Sequence, residues 1–126
     1  MNIKFKDLTE TQFIEKYLLL YNLSVDPSKR LVKSEIELVQ EFALLPSKFE
    51  HSRFSSVGKN KVIESLSSKG ETSTKASINS KIYDLIAKTF FYRDEDRVIY
   101  MPKHLLKALQ EFRNNKAFVV NIQLCS

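Results

Sequence analysis

The spacing of apolar positions along this chain changes several times, and each change marks an element. Asn2-Ile3-Lys4-Phe5-Lys6 alternates polar and apolar residues, as a half-buried strand does. Thr9-Glu10-Thr11-Gln12 has the spacing of a helix capping box, with Leu8 and Phe13 placed as its hydrophobic staple. The helix it opens carries Phe13, Ile14, Tyr17, Leu18 and Tyr21 on one face, and Asp26-Pro27-Ser28 breaks the pattern. A second box, Ser34-Glu35-Ile36-Glu37, predicts a helix striped by Ile36, Val39, Phe42 and Ala43 and stopped at Pro46. The irregular stretch 47–58 holds Phe49 and Phe54, which are expected to anchor it to the core.

A third helix is predicted over 59–67, with Val62, Ile63 and Leu66 inward and Ser55 or Ser56 as its cap. Gly70 then offers the positive φ that a helix C-terminus favours. Ser73 or Thr74 caps a fourth helix reaching Lys88, with Ile78, Ile82, Leu85 and Ile86 at i, i+4, i+7 and i+8. Thr89–Tyr92 and Arg97–Met101 are β-rich runs around Arg93-Asp94-Glu95-Asp96, a hairpin pattern. Pro102 suits the first turn of a fifth helix with Leu105, Leu106, Leu109 and Phe112 apolar, ended at Asn114-Asn115. Phe118, Val120, Ile122 and Leu124 alternate as a closing strand, and the two end strands are expected to pair antiparallel. Elements in this order make an α+β chain, mainly α.

At 126 residues the chain is expected to form a single domain, 1–126, large enough to need no disulfide or metal staple. The longest apolar run, Tyr17–Tyr21, is far short of the roughly 20 residues that span a bilayer, so no membrane association is expected. The start, MNIKFKDLTET, lacks the apolar stretch of a secretory signal, and one cysteine, Cys125, fits a reducing compartment. A cytoplasmic protein is the expectation. Charge adds one distinction. Residues 1–58 hold eight basic and eight acidic side chains, whereas residues 59–126 hold twelve and seven, the whole excess of +5. Such asymmetry points the second half toward a polyanion.

The order helix (34–45), helix (59–67), turn, helix (74–88), hairpin (89–101), helix (102–113) resembles the winged helix-turn-helix family. The stretch that carries the likeness is GKNKVIESLSSKGETSTKASINSKIYDLIAKTFFYRDEDRVIYMPKHLLKAL, residues 58–109, about 40% of the chain. Within that family it is similar to small winged-helix proteins of large tailed bacteriophages. They share a basic helix start, a Ser/Thr-rich turn, a lysine-bearing helix, and a hairpin leading into a proline-started helix. The resemblance implies a winged-helix core over 31–113, extended by a strand and helix (1–22) and a terminal strand (117–125). It also implies a phage-encoded regulator of transcription or replication, acting in the host cytoplasm.

In that arrangement the fourth helix enters the major groove of double-stranded DNA and the third braces it. The inward set turns Ser73, Ala76, Ser77, Ser80, Tyr83 and Asp84 outward, with Lys75, Asn79 and Lys81 on the flanks. Thr74, Lys75, Ser77, Ser80 and Lys81 are the candidate reading residues, and Lys59, Lys61 and Lys69 the candidate phosphate contacts. Five lysine contacts would give a log K against log salt slope of about −4 to −5. The acidic hairpin tip, Asp94-Glu95-Asp96, argues against insertion of the wing into a groove. A homodimer is the natural form for such a reader, through the first helix (9–21) or the terminal strands, since one helix makes few base contacts.

Candidate chemistry is sparse. His51 and His104 stand in different elements without a neighbouring cysteine, so no metal site is expected. Two glycines in the whole chain leave no phosphate-cradling loop, and Asp94-Glu95-Asp96 lacks the rest of a calcium loop. Glu35 and Glu37 are better read as helix-start residues than as a catalytic pair. The expectation is a non-enzyme without cofactor. A structural or adaptor protein is the competing reading, as a virion component or an RNA polymerase accessory factor. It is motivated by the acidic tip and the nine Phe and five Tyr, some of which could face a phage or host protein.

Overall fold

The computed structural model describes residues 2–115 and 117–121. It is mainly helical with two small antiparallel sheets. In chain order the elements are β1 (Asn2–Lys6), α1 (Glu10–Leu23), α2 (Lys33–Ala43), α3 (Ser56–Ser68), α4 (Lys75–Ala87), β2 (Tyr92–Arg93), β3 (Ile99–Tyr100), α5 (Lys103–Asn115) and β4 (Ala117–Asn121). Among the described residues no helix is long and apolar enough to cross a membrane. Cys125, and Ile122 and Leu124 of the expected closing strand, lie outside the described residues.

Short-range chemistry sets most helix ends. At α1 the Thr9 Oγ1 accepts the Gln12 N–H at 3.1 Å while Gln12 Oε1 accepts the Thr9 N–H at 3.0 Å, a complete capping box. Ser55 caps α3 and Thr74 caps α4, each accepting an amide three residues on. The α3 C-terminus closes as a Schellman motif. Gly70 sits at φ +83°, its N–H donates to Ser67 O, and the Glu71 N–H donates to Leu66 O.

The start of α2 departs from the pattern. Ser34 is not its cap: the cap lies two residues earlier, at Val32, and the helix begins at Lys33. Half of a capping box survives, because Glu35 Oε1 accepts the Val32 N–H at 2.8 Å. The same oxygen takes the Lys88 ammonium at 2.5 Å, across from the end of α4. Glu35 is 3% exposed, so a partner 53 residues away chose this register.

The hairpin is also shorter than the β-rich runs suggest. Thr89–Phe91 are not strand, because a second Schellman motif ends α4 there. Thr89 takes φ +59° and donates to Ile86 O, and the Phe90 N–H donates to Leu85 O. That turn drives Phe90 and Phe91 into the core and leaves only 92–93 and 99–100 as ladder. A β-branched residue in the left-handed region costs about 1–2 kcal/mol. Thr89→Gly is therefore expected to stabilise the protein by about 1 kcal/mol, read as a rise in urea midpoint at unchanged m-value. An unchanged or lower midpoint would mean that the Thr89 hydroxyl, which donates to Lys88 O at 2.6 Å, compensates the strain.

Aromatic rings join the layers. Phe13 of α1 stacks on Phe112 of α5 at 4.4 Å, and Phe5 of β1 meets Phe13 edge-on at 5.4 Å. Phe42 of α2, Phe54 and Phe91 form a second run at 4.8 and 5.0 Å, so Phe54 does anchor the 47–58 connection, whereas Phe49 is buried outside the main core cluster. β1 pairs antiparallel with β4 in the register Ile3 to Val120 and Phe5 to Phe118, which ties the two ends together within one chain. His104 of α5 lies against the Tyr17 and Tyr21 rings of α1, with Nδ1 2.8 Å from the Tyr17 hydroxyl. Burial lowers the His104 pKa and raises Tyr17 to about 12, so a neutral imidazole and a neutral phenol share that bond.

Candidate nucleic-acid interface

α3 and α4 bring their N-termini together. Lys75, the first residue of α4, reaches back so that its ammonium donates to Ser56 Oγ, at the first position of α3, at 2.9 Å. Lys59, one turn into α3, stands close enough to Lys75 to feel its charge. Desolvation lowers the Lys59 pKa first, and the Lys75 charge adds to it. Neither lysine has an ion-pair partner within 4.0 Å among the described residues, and neither does Lys81. Two helix N-termini, each carrying a partial positive charge, thus converge where two uncompensated ammonium groups adjoin. Such a place attracts an oxyanion.

The remaining candidates separate into those available at this surface and those already engaged. Ser80 is fully outward on α4 beside Ala76, Tyr83 and Asp84, while Ser77 and Lys81 are half-buried on its shoulders. Thr74 is exposed, with its oxygen occupied by the Ser77 N–H. Lys69 is committed elsewhere. Its ammonium pairs with Glu41 of α2, whose other oxygen accepts the Ser65 hydroxyl at 2.6 Å, so it braces α3 on α2. Lys61 lies 3.7 Å from Glu64 one turn on, both exposed, a pair worth a few tenths of a kcal/mol at most. Lys61 thus stays available, whereas Lys69 would have to abandon Glu41.

Arg93 was not among the sequence candidates. From β2 its guanidinium sits 5.9 Å from the centre of the Tyr83 ring on α4, which adds a cation at the hairpin side of that helix. No local signal marks it, since the contact joins a helix to a strand. The acidic tip has a structural component as well. Asp94 Oδ1 accepts the Val98 N–H at 2.9 Å and Oδ2 accepts the Tyr100 hydroxyl at 3.0 Å. The Val98 bond leads in holding the Asp94 carboxyl below its usual range, with Tyr100 contributing. Arg97 at φ +64° completes the turn. Asp94 fastens the hairpin, and Glu95 and Asp96 are its free acids.

The described residues contain no group of three or more His, Cys, Asp or Glu able to hold a metal ion. No family model, curated protein or solved structure matches this chain.

Proposed function

We propose that this chain is a non-enzymatic DNA-binding protein of winged helix-turn-helix type, a regulator of transcription or replication. In this reading α2, α3 and α4 form the three-helix core, β2–β3 the wing, and α4 the helix presented to the major groove. One observation carries the proposal: the N-termini of α3 and α4 meet at Lys59 and Lys75, two ammonium groups without carboxylate partners among the described residues. A phosphate seated there would fix the register of α4, leaving the small outward residues Ala76 and Ser80 against base edges.

With Lys69 engaged by Glu41, the backbone contacts reduce to Lys59, Lys75, Lys81 and the exposed Lys61. The expected salt slope on mixed-sequence duplex is then about −3 to −4. Neutralising Lys75 and Lys81 together (K75Q/K81Q) should weaken binding to every sequence and make the slope shallower by about two. Fluorescence anisotropy with a labelled duplex at several salt concentrations measures it. A double variant with the wild-type slope would remove α4 from the interface, and a wild-type protein without affinity for duplex at low salt would remove the function.

A further inference from the structure

Beside the hairpin the chain leaves a groove of about 650 Å³ between two stretches, 97–101 and 50–55, with Leu106 of α5 also lining it. One wall is the outer edge of β3. Asp94 donates its N–H to Val98 O, and Tyr92 faces Tyr100 two residues further along the ladder. In an antiparallel pair the bonded positions alternate, so the intervening Arg93–Ile99 pair is the non-bonded one. The Ile99 N–H and C=O therefore point away from β2, toward the groove. The opposite wall does not meet them. Three of its six amides close turns on their own segment, Glu50 to Ser47 O, Ser52 to Phe49 O and Ser55 to Ser52 O, and none of it is strand. A two-stranded sheet thus keeps an open edge along a slot whose far side offers no strand.

The slot is basic. Its lining includes Arg53, Arg97 and Lys103 against one carboxylate, Glu50. Arg53 has no ion-pair partner within 4.0 Å among the described residues, and its Nε is buried without a hydrogen-bond partner. Phe54, Ile99 and Leu106 supply apolar surface between these cations. An open strand edge asks for an extended chain, the cations ask for carboxylates, and the apolar surface suits alternate side chains.

We infer that this groove binds an extended acidic peptide segment of a partner protein, which adds to β3 as a third, main-chain-bonded strand. This is a second interaction site, whose lining shares none of the lysines of the α3–α4 surface. A DNA regulator so equipped would recruit a protein while it holds its site.

A fluorescein-labelled peptide, Glu-Val-Glu-Val-Glu-Val-Glu, titrated in the absence of DNA, tests the inference independently of the DNA reading. Binding should be saturable, and a Thr-for-Glu version should bind at least about tenfold more weakly. R97Q, on the exposed turn, should lose several-fold in affinity, and R53Q/R97Q about tenfold or more. A main-chain signature separates strand addition from charge attraction. N-methylating the valines or the glutamates blocks alternate amides, so one of these two peptides should lose binding and the other keep it. Ile99 amide exchange should slow when the peptide is bound. Equal binding by the Thr peptide, equal binding by both methylated peptides, or unchanged Ile99 exchange would each overturn the inference. Loss of peptide binding in K75Q/K81Q would place it on α4 instead. If R53Q/R97Q weakened duplex binding and duplex displaced the peptide, the groove would belong to nucleic acid and the inference would fall.

Discussion

Replacing Gly58 with alanine is expected to lower the stability of this protein by about 2–3 kcal/mol, although alanine is the better helix former. A Cβ at position 58 would lie 2.1 Å from the Arg53 carbonyl oxygen and 2.6 Å from that of Ser52. Both are main-chain atoms in a turn held by the Ser55 N–H to Ser52 O bond, so no flexible side chain can yield. Alanine's helix propensity returns roughly 1 kcal/mol. Overpacking usually costs roughly 1–3 kcal/mol and occasionally more. An approach of 2.1 Å to a main-chain oxygen forces a segment to move, which puts this case at about 3–4 kcal/mol. If the 52–55 turn moves, Phe54 leaves its place between Phe42 and Phe91; if α3 moves, its Ser55 cap is lost. Thermal unfolding should show a melting point lower by about 8–12 °C, at roughly 4 °C per kcal/mol for a chain of this length. Gly70→Ala is the control. A Cβ there meets open space but φ is +83°, so only the left-handed backbone penalty of about 1–2 kcal/mol applies. A Gly58→Ala protein that melts with the wild type would mean that this close approach does not exist in solution.

The second large effect is expected at the Glu35–Lys88 pair. Glu35 is buried at 3% exposure and receives both the Val32 N–H and the Lys88 ammonium, whose side chain is 22% exposed. Removing one member of a buried pair costs 3–5 kcal/mol because the other charge stays desolvated. Water reaches Lys88, so Lys88→Met should cost about 2–3 kcal/mol. The doubly substituted E35Q/K88M protein should recover part of that loss, since no charge is then stranded and the glutamine oxygen can still accept the Val32 N–H. Urea denaturation of the two single variants and the double variant gives the coupling directly. Strictly additive losses would mean that the two charges do not interact and that Glu35 acts through the cap alone.

Both effects come from contacts that join distant parts of the chain, and such contacts also separate the correct expectations from the corrected ones. Ser34 looked like the better cap because the pattern within four residues favoured it. Lys88 shifted the choice to Val32 and Glu35 from the far end of α4. The β-rich run at 89–92 has strand propensity, yet Thr89 ends a helix in the left-handed region because that places Phe90 and Phe91 in the core. On the α3–α4 surface, Lys69 and Lys75 were both candidates from the sequence. Glu41 takes Lys69, and Ser56 holds Lys75 beside Lys59 with no ion-pair carboxylate within 4.0 Å among the described residues.

What the sequence by itself determined was whatever four to seven consecutive residues decide between themselves. That includes the Thr9, Ser55 and Thr74 caps, the Gly70 exit, the buried face of α4 and the alternating end strands that pair as β1 and β4. Only the tertiary structure decided which lysines stay unpaired, where the open edge of β3 lies and why Gly58 carries no side chain. These depend on groups many positions apart in the chain, and a capping or amphipathic pattern has no range to specify which charge or backbone oxygen the fold will bring alongside.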